Sequence, residues 1–229
     1  MMFFFKRKKI ILEAYAPTGD LIDYFPLVRT NECTPEWFQN LPKGKHNVRN
    51  CMGIKDLWSE GFMIPAWADH HISVYPDNTY NVQASHDQKS PASNHNLERE
   101  ATGAWPDYIN IKLHNPWFMW CDKPIKWLIT QPVWHQSHPT DFIITPGVLE
   151  FRHNHQMLLN TLFKKTNTPY LTKIKAGDSL AQVIPITDEP FELELKVMTN
   201  DAWVEKFSKW NHSFEFGYQK IRKKFENKN

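Results

Sequence analysis

The sequence predicts a mainly β fold, a distorted antiparallel barrel or sandwich, with short helices near its N-terminus and an amphipathic helix at its C-terminal end. Three observations carry this expectation. Aromatics make up 14% of the residues and sixteen prolines stand against eight glycines, which suits extended segments, rigid turns and large side chains filling a core. Short apolar runs recur at regular spacing between turn signals. The stretch IKAGDSLAQVIPI, Ile174 to Ile186, sets a charged turn before a run that is apolar on both faces, the pattern of a central strand ending at Pro185.

Ile10 to Tyr15 begins the series as a strand, with the preceding KRKK as its solvated flank. Thr34-Pro35-Glu36-Trp37 starts a short helix: a hydroxyl N-cap, a proline where a missing N–H costs nothing, and a carboxylate in the first turn. Ile54 to Glu60 forms a second, with Gly61 suited to the left-handed position just beyond its end. Phe62 to Pro65 leaves it extended. Trp67 to Tyr75 and Thr79 to Ala84 make a hairpin about Pro76-Asp77-Asn78. Ser85 to Gly103 is polar and aperiodic, the longest loop candidate.

Nine further strands follow, Tyr108–Leu113, Trp117–Cys121, Lys126–Gln131, Asp141–Ile144, Val148–Arg152, Met157–Phe163, Leu171–Ile174, Leu180–Thr187 and Phe191–Thr199, with turns at HNP, DKP, TPG, KAGD and DEP. Asp201 is the expected N-cap of a helix from Ala202 to Trp210. Beyond it Phe214, Tyr218, Ile221 and Phe225 recur at helical spacing along a basic segment. That segment reads as a helix laid across the barrel, or as an anchor to a partner subunit or an anionic surface. No repeat or linker divides the chain, so residues 1–229 read as one β-rich domain with 200–229 as a helical extension.

Lys and Arg number 27 against 25 Asp and Glu, a balance that supplies no field for nucleic acid. Cys33, Cys51 and Cys121 lie far apart with no CxxC, favouring a thiol-reducing compartment or incidental buried thiols over a secreted scaffold. In MMFFFKRKKIILEAYAP the apolar run precedes the bases, unlike a secretory signal, and no stretch approaches the roughly 18 apolar residues of a membrane span. GxSxG, GxGxxG, P-loop and HExxH motifs are all absent.

Two constellations could carry chemistry. His135, His138 and Asp141 recur at intervals of three, and in a turn they could place two imidazoles and a carboxylate around one divalent metal, as in Fe(II)-type oxygenases. The bland alternative is a polar, solvated hairpin, since the chain has no HxD dyad. Trp120, Trp127 and Trp134 could form an aromatic platform for sugars or bases, against the alternative of cross-strand core packing. Trp37, Trp58, Trp67 and Trp105 invite the same core reading.

Gly177-Asp178-Ser-Leu-Ala181-Gln182-Val-Ile184 resembles the GDRIAQ strand of trimeric dUTPases and dCTP deaminases, and Pro146-Gly-Val-Leu-Glu150 resembles their GVID hairpin. The order TPEWF, LP, C.GI.DL, G..IP.W, NPW, TQP, PGV and AGD.LAQVIP is similar to uncharacterised proteins of tailed bacteriophages and some bacteria. These resemblances imply a dUTPase-like distorted barrel, and a trimer or other homo-oligomer. Glu150 stands where the family has a water-activating Asp, and His153 where it has a base-stacking Tyr. The phosphate motifs and glycine-rich arm have no counterpart. The expected function is therefore a non-enzymatic accessory or virion-associated protein acting through assembly with itself or with virion and host proteins, located in the host cytoplasm or virion. It needs no cofactor and engages no membrane. The alternatives are a divergent nucleotide hydrolase centred on Glu150 or the oxygenase above.

Overall fold

A computed structural model describes residues 9–42, 44, 47–85, 92–94, 105–136, 141–153 and 156–208. Along the chain come β1 (Ile10–Ala16), α1 (Gly19–Tyr24), β2 (Val28–Arg29), α2 (Glu36–Gln39), α3 (Met52–Ser59), β3 (Phe62–Pro65), β4 (His70–Val74), β5 (Tyr80–Ala84) and β6 (Ala92–Asn94). There follow β7 (Tyr108–Trp120), β8 (Lys126–Thr130), β9 (Phe142–Ile144), β10 (Gly147–Glu150), β11 (Gln156–Lys164), β12 (Tyr170–Ile174), β13 (Ser179–Pro185), β14 (Phe191–Val197) and α4 (Asn200–Ala202), which continues as a π-helical turn through Phe207.

The strands form three sheets. One has the order β14-β1-β7-β11-β9 with β6 also on β7, the second β10-β8-β13-β3-β2, and the third β12-β4-β5. None closes on itself among the described residues, so the mainly β expectation holds in a sandwich-like form. One buried cluster draws on all three, from Ile10 and Leu12 through Trp127 and Val183 to Ile72 and Ile174. Phe62, Trp127, Phe151 and Phe191 interlock within it, with ring centroids 5.4 to 6.4 Å apart. Among the described residues no helix is long and apolar enough to cross a membrane.

β13 occupies the centre of its sheet, and Leu180 through Val183 are all buried. Gln182 is 2% exposed and its Nε2 donates to the carbonyls of Leu57 and Glu60, at 2.8 and 3.1 Å. A helix leaves its last carbonyls without intrahelical donors, so one buried amide serves the end of α3. Gly61 follows with φ +78°, as its place beyond the helix requires. A Cβ there would stand 1.9 Å from the Val183 carbonyl oxygen. The KAGD turn also forms, with Gly177 at φ +88° and Asp178 Oδ2 accepting the Lys175 N–H.

Several expectations are corrected. The HNP turn does not form: β7 runs unbroken for thirteen residues, with Ile109, Ile111, Leu113, Asn115, Trp117 and Met119 all buried on one face. Pro116 is tolerated because its neighbours withdraw there. β11 bulges between Gln156 and Leu158, while β6 pairs only as far as Leu113 and β1 only from Phe118. Asn115 Oδ1 takes the Trp117 N–H inside the gap.

Pairing is not antiparallel throughout, for β1 and β14 run parallel over seven residue pairs, from Ile10 with Phe191 to Ala16 with Val197. The long chain between them supplies the crossover that a parallel pair needs. α1 and β2 went unpredicted. Thr34 does not cap α2: Pro35 is the N-cap, and the Thr34 hydroxyl donates to the Asn31 carbonyl. Thr199, not Asp201, caps α4, its hydroxyl accepting the Ala202 N–H. The predicted helix through Phe214 and Phe225 lies outside the described residues, as does most of Ser85 to Gly103.

The π-helical turn packs Trp203 and Phe207 onto Phe118, with Phe207 also on Tyr15 and Trp120. Lys206 pairs with Glu13, which also receives Lys196 Nζ at 2.6 Å and the Tyr15 hydroxyl at 2.8 Å. Burial alone would raise the Glu13 pKa. These three donors outweigh it and bring it down to about 2.

Gly61→Ala is expected to destabilise the protein by more than about 2 kcal/mol, since it combines backbone strain with a collision against Val183. Gln182→Leu, close in volume, should cost about 1–3 kcal/mol by stranding two helix carbonyls. Urea denaturation of both variants checks these values.

Candidate functional site

The register around β13 assembles an aromatic site. Gln182 faces Thr130 of β8 on one side and Met63 of β3 on the other. The chain leaving β8 and the chain entering β3 therefore reach the same level. What leaves β8 is the 3₁₀ turn Val133–His135, and what enters β3 is the end of α3, carrying Trp58. The His135 and Trp58 rings meet edge-on, 5.7 Å apart.

α2 adds the next layer. Phe38 meets Trp58 edge-on at 3.9 Å, and Trp37 lies 5.9 Å from Trp58 and 6.0 Å from Trp134. The Trp37 indole N–H donates to the Trp134 carbonyl at 3.0 Å, which pins the two segments together. Arg49 holds the far end of α2 by donating to the Leu41 carbonyl at 2.8 Å, and its guanidinium lies 5.8 Å from the Phe38 ring centroid. Trp58 is 4% exposed beneath, whereas Trp37, Trp134 and Val133 are 37%, 41% and 63% exposed. The result is an aromatic face whose outer surface carries Trp37, Trp134 and Val133, and among the described residues that form it there is no paired acid and base.

His135 belongs to this face. Its Nε2 is buried and meets no hydrogen-bond partner among the described residues, as is true of Trp58 Nε1. Burial pushes the imidazole pKa down to about 4, so the ring is neutral at pH 7. His138, the second histidine of the metal constellation, lies outside the described residues. Asp141 is exposed at the start of β9 and its charge acts on Tyr170. Among the described residues no cluster of three His, Cys, Asp or Glu side chains could hold a metal.

Glu150, at the end of the edge strand β10, is brought against Arg152 and His153. Arg152 Nε donates to Glu150 Oε1 at 2.8 Å, and His153 Nε2 stands 3.2 Å from the same oxygen. Burial lowers the His153 pKa, against the pull of Glu150. The three tryptophans of the predicted platform do not converge. Trp127 is fully buried among Phe62, Phe151 and Phe191, and Trp120 meets Phe207 of the C-terminal turn, so Trp134 alone reaches the aromatic face.

Trp58 is buried as its core reading expects, whereas Trp37, read the same way, is exposed and joins Trp134 at the surface. The available signal was positional: Pro35-Glu-Trp37 and Pro132-Val-Trp134 each put a tryptophan two residues after a proline, in a short helical turn with few neighbours to cover it. Neither a protein-family model nor a curated protein matches the chain.

The depressed His135 pKa predicts a pH dependence. The unfolded imidazole titrates near 6.5 and the folded one near 4, so the unfolded state binds more protons between these values. Stability should fall as pH drops from about 6.5 toward about 4, a window in which the lowered pKa values of His70 and His153 contribute as well. His135→Phe should flatten that slope in thermal melts recorded across the window.

Proposed function

We propose that this protein is non-enzymatic and acts by assembly, self-associating through the face formed by Trp37, Val133 and Trp134. The observation that carries this reading is that two tryptophans and a valine stand exposed together on a surface where the Trp37 indole N–H donates to the Trp134 carbonyl. Rigid aromatics lose little entropy on binding and dominate protein interfaces, and closed homo-oligomers are the commonest assemblies. The resemblance of the IKAGDSLAQVIPI and PGVLE segments to trimeric dUTPase-like barrels, and of the wider motif order to proteins of tailed phages, supports the same reading: a phage-type accessory or virion-associated protein on a dUTPase-like scaffold, at work in the host cytoplasm or the virion.

Sedimentation velocity tests it. The wild-type protein should sediment as an oligomer, and Val133→Asp, at a 63% exposed position where folding is little affected, should weaken association by about 30-fold or more. A wild-type monomer at every soluble concentration would overturn the reading.

A second reading, a divergent nucleotide hydrolase, is favoured by one observation, the convergence of Glu150, Arg152 and His153. A panel of nucleoside triphosphates with Mg²⁺ decides it. Turnover abolished in Glu150→Gln would establish that reading, and no turnover would remove it.

A further inference from the structure

A cavity of about 360 Å³ opens where β7 lacks a strand neighbour. Between the pairing to β6, which ends at Leu113, and the pairing to β1, which begins at Phe118, the flank of β7 is bare of strands among the described residues. Trp67 closes part of the gap. Its indole N–H donates to the His114 carbonyl at 3.1 Å, its ring meets His70 edge-on, and only 8% of it is exposed. Pro116 lines the cavity beside it. The opposite wall comes from α1, which Leu21 anchors in the core, while Phe25 packs against that core from just beyond the helix. Tyr24 is 73% exposed and stands at the rim.

The lining selects a ligand class. Among the described residues that line it one is charged, Asp20, and none is a lysine, arginine or histidine. Aromatic rings attract cations to their faces, and a carboxylate adds to that field and repels phosphates and carboxylic acids. Asp20 is itself exposed, so it can meet the charged end of a guest at the mouth of the cavity while the apolar body lies farther in. The volume falls in the range of small-ligand sites, which combine apolar walls with few placed polar groups.

We propose that this cavity binds a small organic cation, an ammonium or guanidinium carried on an apolar body, with Trp67, Tyr24 and Phe25 enclosing the body and Asp20 balancing the charge. The cation is either a free amine or the side chain of a lysine or arginine on a partner protein. The site shares no residue with the association face, so it stands or falls separately.

Calorimetric titration of the full-length protein tests it with four probes: phenethylammonium, N-acetylarginine methylamide, the neutral 2-phenylethanol and the anionic phenylacetate. Phenethylammonium should bind about 10-fold or more tightly than 2-phenylethanol, with phenylacetate weaker still. Asp20→Asn should remove that preference, and Tyr24→Ala, at an exposed rim position, should weaken the cation while leaving the thermal melt unchanged. Tighter binding of the arginine amide would identify a partner's side chain as the occupant, and tighter binding of phenethylammonium a free amine. Equal affinity for cation and neutral probe, binding unaltered in Asp20→Asn, or no heat from either cation at millimolar concentration would each overturn the proposal. Val133→Asp should leave the titration unaltered whatever it does to association.

Discussion

The side-chain amide of Gln182 and the glycine beside it are the constraint around which this architecture is arranged. A polar group in the middle of a central strand is costly unless it is satisfied, and here it is satisfied by the open carbonyl end of α3. That contact sets how far α3 can advance over the sheet. The approach is so close that residue 61 has no room for a side chain, since the Val183 carbonyl occupies the space. Because Gln182 is also in register with Thr130 and Met63, the same point determines where Trp58 and His135 meet. The aromatic face is thus a product of strand register, with α2 added as a cover.

A second tie holds the other sheet. Glu13 sits on β1 and collects Lys196 from β14, Lys206 from the C-terminal turn and the Tyr15 hydroxyl. Such a partly buried carboxylate is tolerable because its donors more than offset desolvation, and each donor comes from a segment that must be in place for the balance to hold. Phe207 and Trp203 supply the apolar share of the same docking. Charge and ring contacts here serve to fasten the end of β14 and the turn after it onto the strand nearest the start.

Local features were legible in the sequence. The apolar run on both faces of Leu180 to Ile184 placed β13 at the centre of a sheet, Gly61 marked the end of α3, and Pro76-Asp77-Asn78 marked the hairpin, where Asn78 takes a positive φ. What escaped depended on partners distant in sequence. α1 has six residues and no side-chain cap, so nothing local announces it; Leu21 holds it by reaching the core. Asn115-Pro116 has turn chemistry, yet the alternation from Ile109 to Met119 runs through it in phase, and that longer period was the better guide. Identical residue types split by location: Trp127 lies in mid-strand and is core, whereas Trp134 lies just past a strand end and is surface. Composition registered the tryptophans but held no information about which strand ends would be covered.

The parallel pairing of β1 with β14 joins residues near position 10 to residues near position 191. During synthesis β1 is made well before β14, and the other strands among the described residues are made between them. Until Val197 has emerged, the strand that β1 pairs with among the described residues is β7, through Glu13 to Tyr15, and its outer edge offers unpaired amides and carbonyls to any strand that passes. Closing so long a loop is slow, because its entropy is spent before the contacts repay it. The five-stranded sheet, by contrast, can complete itself once β13 is out. The six-stranded sheet therefore closes through the pairing most distant in sequence, whereas every strand of the five-stranded sheet has been made by Pro185.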